Sequence, residues 1–436
     1  MRLLNFWAYD GRATSVLRLA AIAAMCVLAL PAEADTVLTG RAAFGDWTRD
    51  APSVTRHITP ADLPPPFATV SAANAPHIVD RPGEAVPKAP PGFTVELFAD
   101  GLPGARLLRT APNGDTFLTE EREGRIVVLH DNGPGKRASV STYATGLDEP
   151  FGLAFYPAGA TPQFLYVGTL GAVLRYPYRN GDTTAEGEPE IVTRIPDGGG
   201  HRTRDIVFAP DGRHFFVSVG SLTNDAEGRD TEEGMRADIL EFDTGGGGRR
   251  IFADGIRNPV GLAIDPVTGD LWAAVNERDG LGDNLPPDYV TRVRDGGFYG
   301  WPWYYIGDHW DPRHKGEHPE LAGRVLVPDV LIQPHSAPLQ LAVYTGSQFP
   351  ASYRNDIFVA LHGSWNRSLR TGYKVVRVRL QAGVPTGEYQ DFLTGFVTAH
   401  GDVWGRPVGV AVAADGSLLV SEDAHGTVWR ISYKGK

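Results

Sequence analysis

An all-β chain folded as a six-bladed propeller behind an irregular N-terminal arm is what the sequence predicts, on three observations. Glycine (52) and proline (34) are abundant while methionine (3) and cysteine (1) are scarce, a composition suited to many short elements joined by tight turns rather than to long helices. From Gly92 onward a short apolar run, a Gly/Asp turn and a second apolar run recur. Turn pairs such as Asn113-Gly114, Asp211-Gly212 and Asp415-Gly416 lie between the paired runs, where residues that tolerate positive φ close hairpins.

The recurring units start at Leu107 (LLRTAPNGDTFLTEE), Phe151 (FGLAFYPAGATPQFLYVGT), Arg204 (RDIVFAPDGRHFFVSVG), Val260 (VGLAIDPVTGDLWAAVN), Leu339 (LQLAVYTGSQFPASYRNDIFVALH) and Val408 (VGVAVAADGSLLVSED). Their spacing of roughly 45 to 80 residues suits propeller blades that carry insertions. One blade cannot cover both of its apolar faces, so closing the copies into a ring buries them and leaves few open edges. A β-sandwich with accidental similarity among its strands is the competing architecture. In a ring, loops next to the innermost strands converge on one face, so residues far apart in sequence meet there.

Residues 1–34 are expected to form an export signal. Arg12 and Arg18 precede the apolar stretch 19–30, and Ala32-Glu33-Ala34 is a small-x-small cleavage site before Asp35. The apolar stretch is short for a membrane span and no later segment replaces it, so a periplasmic or secreted mature chain without a span is expected, with an uncleaved anchor as the alternative. The single cysteine, Cys26, lies in that stretch, and its loss with the signal would exclude disulfides, thiol nucleophiles and thiolate metal sites. Residues 35–91, rich in Pro, Ala and Thr, read as the irregular arm laid over the surface, and 92–436 as the catalytic propeller. With 41 basic and 52 acidic residues the formal charge is −11, which disfavours nucleic acid and anionic membranes and suits a small neutral substrate or a cation.

The loop Gly198-Gly199-Gly200-His201-Arg202-Thr203-Arg204-Asp205 is the strongest local candidate for chemistry. Its glycines let backbone approach a ligand closely, and His201 is placed to act as a general base just before an inner strand; as a lone loop histidine it would be an ordinary surface residue. The corresponding loop of the next unit offers Arg257, suited to a developing oxyanion, and Asn258, suited to a ligand carbonyl or carboxylate, or else both brace loops. Asn276-Glu277-Arg278-Asp279-Gly280 with Asp283 and Asp288 is an oxygen-rich, Gly-containing stretch that suits a hard cation such as calcium, although its spacing is not that of an EF-hand and a solvated acidic loop reads equally well. His335, the segment Leu361-His362-Gly363-Ser364-Trp365-Asn366-Arg367, and Arg406 add imidazole, indole and guanidinium groups that would together make a flat, cationic, aromatic pocket for an anionic planar cofactor. Trp301 and Trp303 are expected to pack between blades. There is no GxSxG elbow, HExxH, phosphate loop or GxGxxG, so a nicotinamide enzyme is disfavoured.

With GGGHRTRDIVFAPDG, DGIRNPVGLAI, NERDGLGDNLPPDY followed by GGFYGWP, QPHSAPLQL, LHGSWNRS and GRPVGV in order, the chain from Gly92 resembles the soluble pyrroloquinoline-quinone-dependent sugar dehydrogenases, most closely the sorbosone dehydrogenase branch. The resemblance covers about four fifths of the chain, and several motifs in order are more specific than any one. It implies a quinone over the channel mouth with a calcium ion, and oxidation of a sugar-like alcohol or hydrated aldehyde by hydride transfer to the quinone, reoxidised by an external electron acceptor. It implies His201 as proton acceptor, Arg257 beside the reactive quinone carbonyl, and Asn258 and Asn276 as quinone contacts. The backbone carbonyls of Glu277 and Arg278 would be calcium ligands, and His335, Arg367 and Arg406 would hold cofactor carboxylates. Two departures stand out: Val408 lies two after Arg406 where glucose-oxidising relatives carry another basic residue, and the second-blade glutamine has only Glu149 as a stand-in. The rivals are a calcium-dependent lactone hydrolase, which needs side-chain carboxylates on a channel metal, and a non-catalytic propeller that binds a glycan or a partner.

Overall fold

Each of the six sequence units forms the two inner strands of one antiparallel blade in the computed structural model, which describes residues 37–227 and 234–435. The expected export signal, with Cys26, lies outside the described residues. The inner strands are Ala105–Thr110, Leu153–Tyr156, Ile206–Phe208, Asn258–Ile264, Pro338–Val343 and Pro407–Val412. Each pairs with the strand that follows its turn. The ring is closed by a strand from before the first unit: Phe93–Ala99 is the outermost strand of blade six, antiparallel to Thr427–Tyr433. This closure ties the two ends of the ring through backbone hydrogen bonds and removes the open edge.

Apolar side chains alternate along the strands and interdigitate between neighbouring blades, giving one buried cluster per blade interface. Leu107, Phe117, Leu153 and Val167 fill the space between blades one and two, and Phe358, Val375, Val410 and Trp429 that between five and six. The repeated glycine of the inner strands has a steric reason: a Cβ on Gly261 would lie 2.3 Å from the Leu339 carbonyl oxygen, and one on Gly409 2.5 Å from that of Arg106.

Where a polar side chain takes the glycine's place, in blades three and five, it ties blades together. Asp205 accepts from Leu262 N of blade four at 2.8 Å, and Gln340 accepts from Leu108 N at 2.9 Å and Val410 N at 3.0 Å while donating to Leu108 O at 2.7 Å. Gln340 therefore links blades five, six and one across the channel.

Within the arm, Thr55–His57 pairs with the outer strand of blade five and Val37–Thr39 pairs parallel to it. A buried ion cluster anchors this addition: Arg56 reaches Asp391 and Asp50, each at 2.8 Å, and Lys374 reaches Asp50 at 2.7 Å and Asp391 at 2.9 Å. Further along, Asn74 donates to the carbonyls of Arg367 and Ser368, and Ser71 Oγ accepts from Gly282 N, so the arm is stitched to loops of blades four and five. Trp301 is buried and Trp303 packs on Phe298 and His318. Among the described residues, no helix is long and apolar enough to cross a membrane.

Candidate active site

Loops beside the inner strands of blades three to six enclose a cavity of about 620 Å³ on one face of the ring. His201, Arg257, Asn258, Asn276, Glu277, His335 and Arg406 all line it, so seven residues spread over two hundred positions of sequence meet as the propeller geometry requires.

The glycine loop carrying His201 is shaped from within by Arg204, whose guanidinium donates to the carbonyls of Pro196, His201 and Thr203 at 2.8–3.0 Å. His201 Nδ1 lies 2.8 Å from the Ser221 carbonyl oxygen, which can only accept, so Nδ1 carries the hydrogen. In the neutral ring Nε2 is then a lone-pair acceptor, without a partner among the described residues. Burial, with the Arg257 cation beside it, pushes His201 down to about 3, so the ring is neutral at physiological pH. Gly220 makes this placement possible: a Cβ there would stand 2.3 Å from Asn258 Oδ1 and 2.6 Å from the His201 Cβ.

Arg257 is buried and rigidly held. Its Nε donates to Asn224 O at 2.9 Å, Nη1 to Glu277 O at 2.7 Å and Asn276 O at 3.3 Å, and Nη2 to Asn224 Oδ1 at 2.9 Å. Four of its five N–H groups are thus spent on the protein, leaving one on Nη2. Burial lowers its pKa against the opposing pull of Asp279, Glu277 and Asp288. Asn258 faces Asn276 across the first two strands of blade four, and its Oδ1 is buried with no hydrogen-bond partner.

Burial pushes the Glu277 carboxyl up to about 7, against the Arg257 charge, and Asp288 up to about 6. Asp288 is committed to two backbone donors, Glu277 N and Ala337 N, each at 2.8 Å. Asp279 faces His335 Nδ1 at 3.1 Å, and His335 Nε2 lies 2.9 Å from Gly282 O. Two acceptors on two ring nitrogens favour the imidazolium; burial opposes it, but Asp279 and the Gly282 carbonyl prevail and His335 is raised. Both its nitrogens are engaged by the protein, so it meets a cavity ligand through its ring rather than as a free donor.

Three expected site residues do not line the cavity. Arg367 is turned the other way, donating to Phe44 O, Asp283 O, Leu369 O and Asn284 Oδ1, where it fastens the arm. The Glu149 carboxylate is taken by Arg202. The Arg278 guanidinium is buried against Asp311 at 2.6 Å and Asp225 at 3.1 Å. Among the described residues no group of three or more His, Cys, Asp or Glu side chains is arranged to hold a metal ion. Cation binding here would draw on carbonyl oxygens, and the Glu277 carbonyl already accepts from Arg257.

Among the lining residues, Asn224 was not singled out from sequence. Asn224 bridges Arg257 to Asp279, accepting from Asp279 N and donating to Asp279 O, and its own carbonyl accepts from Trp301 Nε1. Nothing in its local sequence signals this. His362 and Trp365 belong to the same motif as Arg367, and Trp365 is half exposed at the cavity edge. Carboxylates border the cavity as well: Glu277, Asp279 and Asp288 all line it.

Comparison with known proteins places this geometry in a family. The glucose/sorbosone dehydrogenase family model matches residues 104–430. An uncharacterized protein of Borreliella burgdorferi is 27% identical over 363 residues, 80% of this chain and 91% of that one. The pyrroloquinoline quinone-dependent pyranose dehydrogenase of Coprinopsis cinerea is 29% identical over 236 residues, 42% of this chain and 31% of the fungal protein, so the match spans about a third of that longer relative. Among solved structures, the holo form of the PQQ domain of that fungal pyranose dehydrogenase superposes with a TM-score of 0.67 at 24% identity, covering 81% of this chain and 98% of the domain. The PQQ-bound aldose sugar dehydrogenase of Streptomyces coelicolor superposes at 0.58 and 19% identity, covering 79% and 99%. With the family model spanning well over half of the chain, the chain belongs to the glucose/sorbosone dehydrogenase family.

Proposed function

We propose that this protein is an exported quinoprotein dehydrogenase that oxidises a sugar-like alcohol or hydrated aldehyde, using calcium-bound pyrroloquinoline quinone and an external electron acceptor. The observation that carries the reading is the fixed tautomer of His201: Nδ1–H is held by Ser221, leaving Nε2 as an unprotonated acceptor at the cavity beside an immobilised guanidinium.

The residues fit a planar, polar, anionic cofactor. The orphaned Asn258 Oδ1 wants a donor or a cation, Arg257 retains one N–H, and Arg406 adds a second positive group at the cavity. When bound, the quinone supplies the two-electron acceptor and the cation polarises it. His201 takes the proton of the substrate hydroxyl at Nε2. Arg257, already desolvated and braced by Asn224, offers its remaining N–H to negative charge that develops beside it without having to reorganise. Asn258 Oδ1, Asp279 and the carbonyls around it are the oxygens on which a hard cation would draw. Asp279 and Asp288 are occupied by His335 and by backbone donors, which argues against the three carboxylates serving as the metal ligands of a lactone hydrolase.

The test is dye-linked oxidation of a panel of aldoses and aldehydes by protein loaded with the quinone and calcium. His201→Gln is expected to bind the quinone normally and lose about 10²- to 10⁴-fold in turnover. Unchanged turnover in the loaded variant removes His201 from the mechanism, and lactone hydrolysis without any dye would favour the hydrolase.

A further inference from the structure

Arg406 and His362 meet where the second strand of blade five ends and the inner strand of blade six begins. Arg406 Nη2 donates to His362 Nδ1 at 3.0 Å, and the other ring nitrogen, Nε2, lies 2.9 Å from Asp423 Oδ1. A guanidinium can only donate, so Nδ1 is bare and Nε2–H donates to the carboxylate. The ring is neutral and fixed between a cation and an anion. Burial pushes it down to about 4, against the opposing pull of Asp423.

One further observation points to a ligand, and a second limits what else could hold it. Arg406 Nε is buried with no hydrogen-bond partner, although Arg406 and His362 both border the cavity. Val408, two residues on, is fully buried in the apolar cluster between blades one and two, so this position offers the site no second cation.

We propose that His362 is the second half of an anion clamp with Arg406, and that it takes up a proton when a carboxylate of the ligand binds. The inference rests on the cavity being the site of the anionic quinone. A carboxylate that accepts from Arg406 draws the guanidinium away from His362 Nδ1 and places an oxygen lone pair beside the nitrogen lone pair. A proton from solvent relieves that repulsion, forming one N–H bond at Nδ1 and nothing else. The imidazolium then donates to the ligand from Nδ1 and to Asp423 from Nε2.

The surrounding charges support the switch. Asp423, held below the usual carboxylate range by His362, Arg106 and Arg406 despite its burial, faces the ring directly. Arg106 binds Asp423 at 3.2 Å and also pairs with Glu121. Glu422 accepts from Arg406 N, and Tyr373 and Arg122 are the remaining ionisable neighbours of Arg406. An arriving anion adds negative charge to the Nδ1 side of the ring, which otherwise faces the Arg406 cation.

The experiment is calorimetric titration of the apo-protein with pyrroloquinoline quinone at saturating calcium, in buffers of different ionisation enthalpy, for the wild type and His362→Gln. The wild type is expected to take up about one more proton per quinone than the variant near pH 7, and its Kd to weaken up to about tenfold more per unit rise in pH. His362→Lys, with a permanent cation, is expected to keep the affinity and lose the extra proton. A histidine Cε1–H resonance of the wild type moving to the imidazolium position on loading needs no variant, and its staying at the neutral position overturns the proposal. Binding with equal proton counts in wild type and His362→Gln overturns the proposal alone. No quinone binding by the wild type at any pH overturns the cofactor reading and this proposal with it.

Discussion

Gly220→Ala is the substitution with the most specific expected effect. The added Cβ would lie 2.3 Å from Asn258 Oδ1 and 2.6 Å from the His201 Cβ, against an ordinary contact of about 3.5 Å. Neither neighbour is the loose end of a flexible chain: Asn258 is a buried first residue of an inner strand, and His201 is tethered through Nδ1. One of them must shift by about 1 Å, which costs about 1–3 kcal/mol as overpacking and on the order of 10²-fold in rate when it moves a reacting group. The variant is therefore expected to fold with a modestly lower melting temperature and to lose about a hundredfold in quinone-linked turnover. Gly245→Ala is the control, because a Cβ in that exposed turn of the same blade meets nothing within 4 Å. Thermal melts and dye-linked turnover on matched preparations decide the matter. Wild-type turnover in Gly220→Ala, or equal loss in Gly245→Ala, would refute the reasoning.

Gln340→Ala strands Leu108 N, Val410 N and Leu108 O, so a loss of about 3 kcal/mol or more is expected in denaturant unfolding. Arg56→Met removes one of two cations from a buried cluster with Asp50 and Asp391; a destabilisation of about 3–5 kcal/mol and faster proteolysis of the arm are expected, checked by unfolding and timed digestion. Burial holds the neutral His201 and His362 down to about 3 and about 4, below the ordinary imidazole value of about 6.5. Over that window the unfolded chain binds more protons, so their contribution to stability is complete above about 6.5 and is lost as pH falls toward 4 and 3. Melting temperature measured from pH 7.5 to 4.5 should fall less steeply in His362→Gln than in the wild type.

The propeller was legible because its evidence is local and repeated. An apolar run, a turn with Gly212 or Gly416, and a second run state one hairpin, and six such units leave few other ways to bury the faces. What remained hidden depends on distance in sequence: Phe93–Ala99 becomes the outer strand of blade six only by pairing with residues over three hundred positions away. The same limit applies to the cavity. Loop motifs beside inner strands placed His201, Arg257, Asn258 and Arg406 correctly on one face, since blade geometry decides that much. Within one motif, however, His362 and Trp365 point to the cavity while Arg367 turns to the arm, because the direction of a loop side chain is decided by what packs on it. Asn224 is the clearest case: an ordinary loop asparagine whose importance exists only in its bonds to Arg257 and Asp279.

The most direct test of the account is titration of the purified apo-protein with pyrroloquinoline quinone, with calcium and with a chelator, followed by absorbance. A saturable, calcium-dependent spectral change that confers dye-linked oxidation of an aldose is the expected result. A spectrum unchanged by the quinone at any calcium concentration would contradict it.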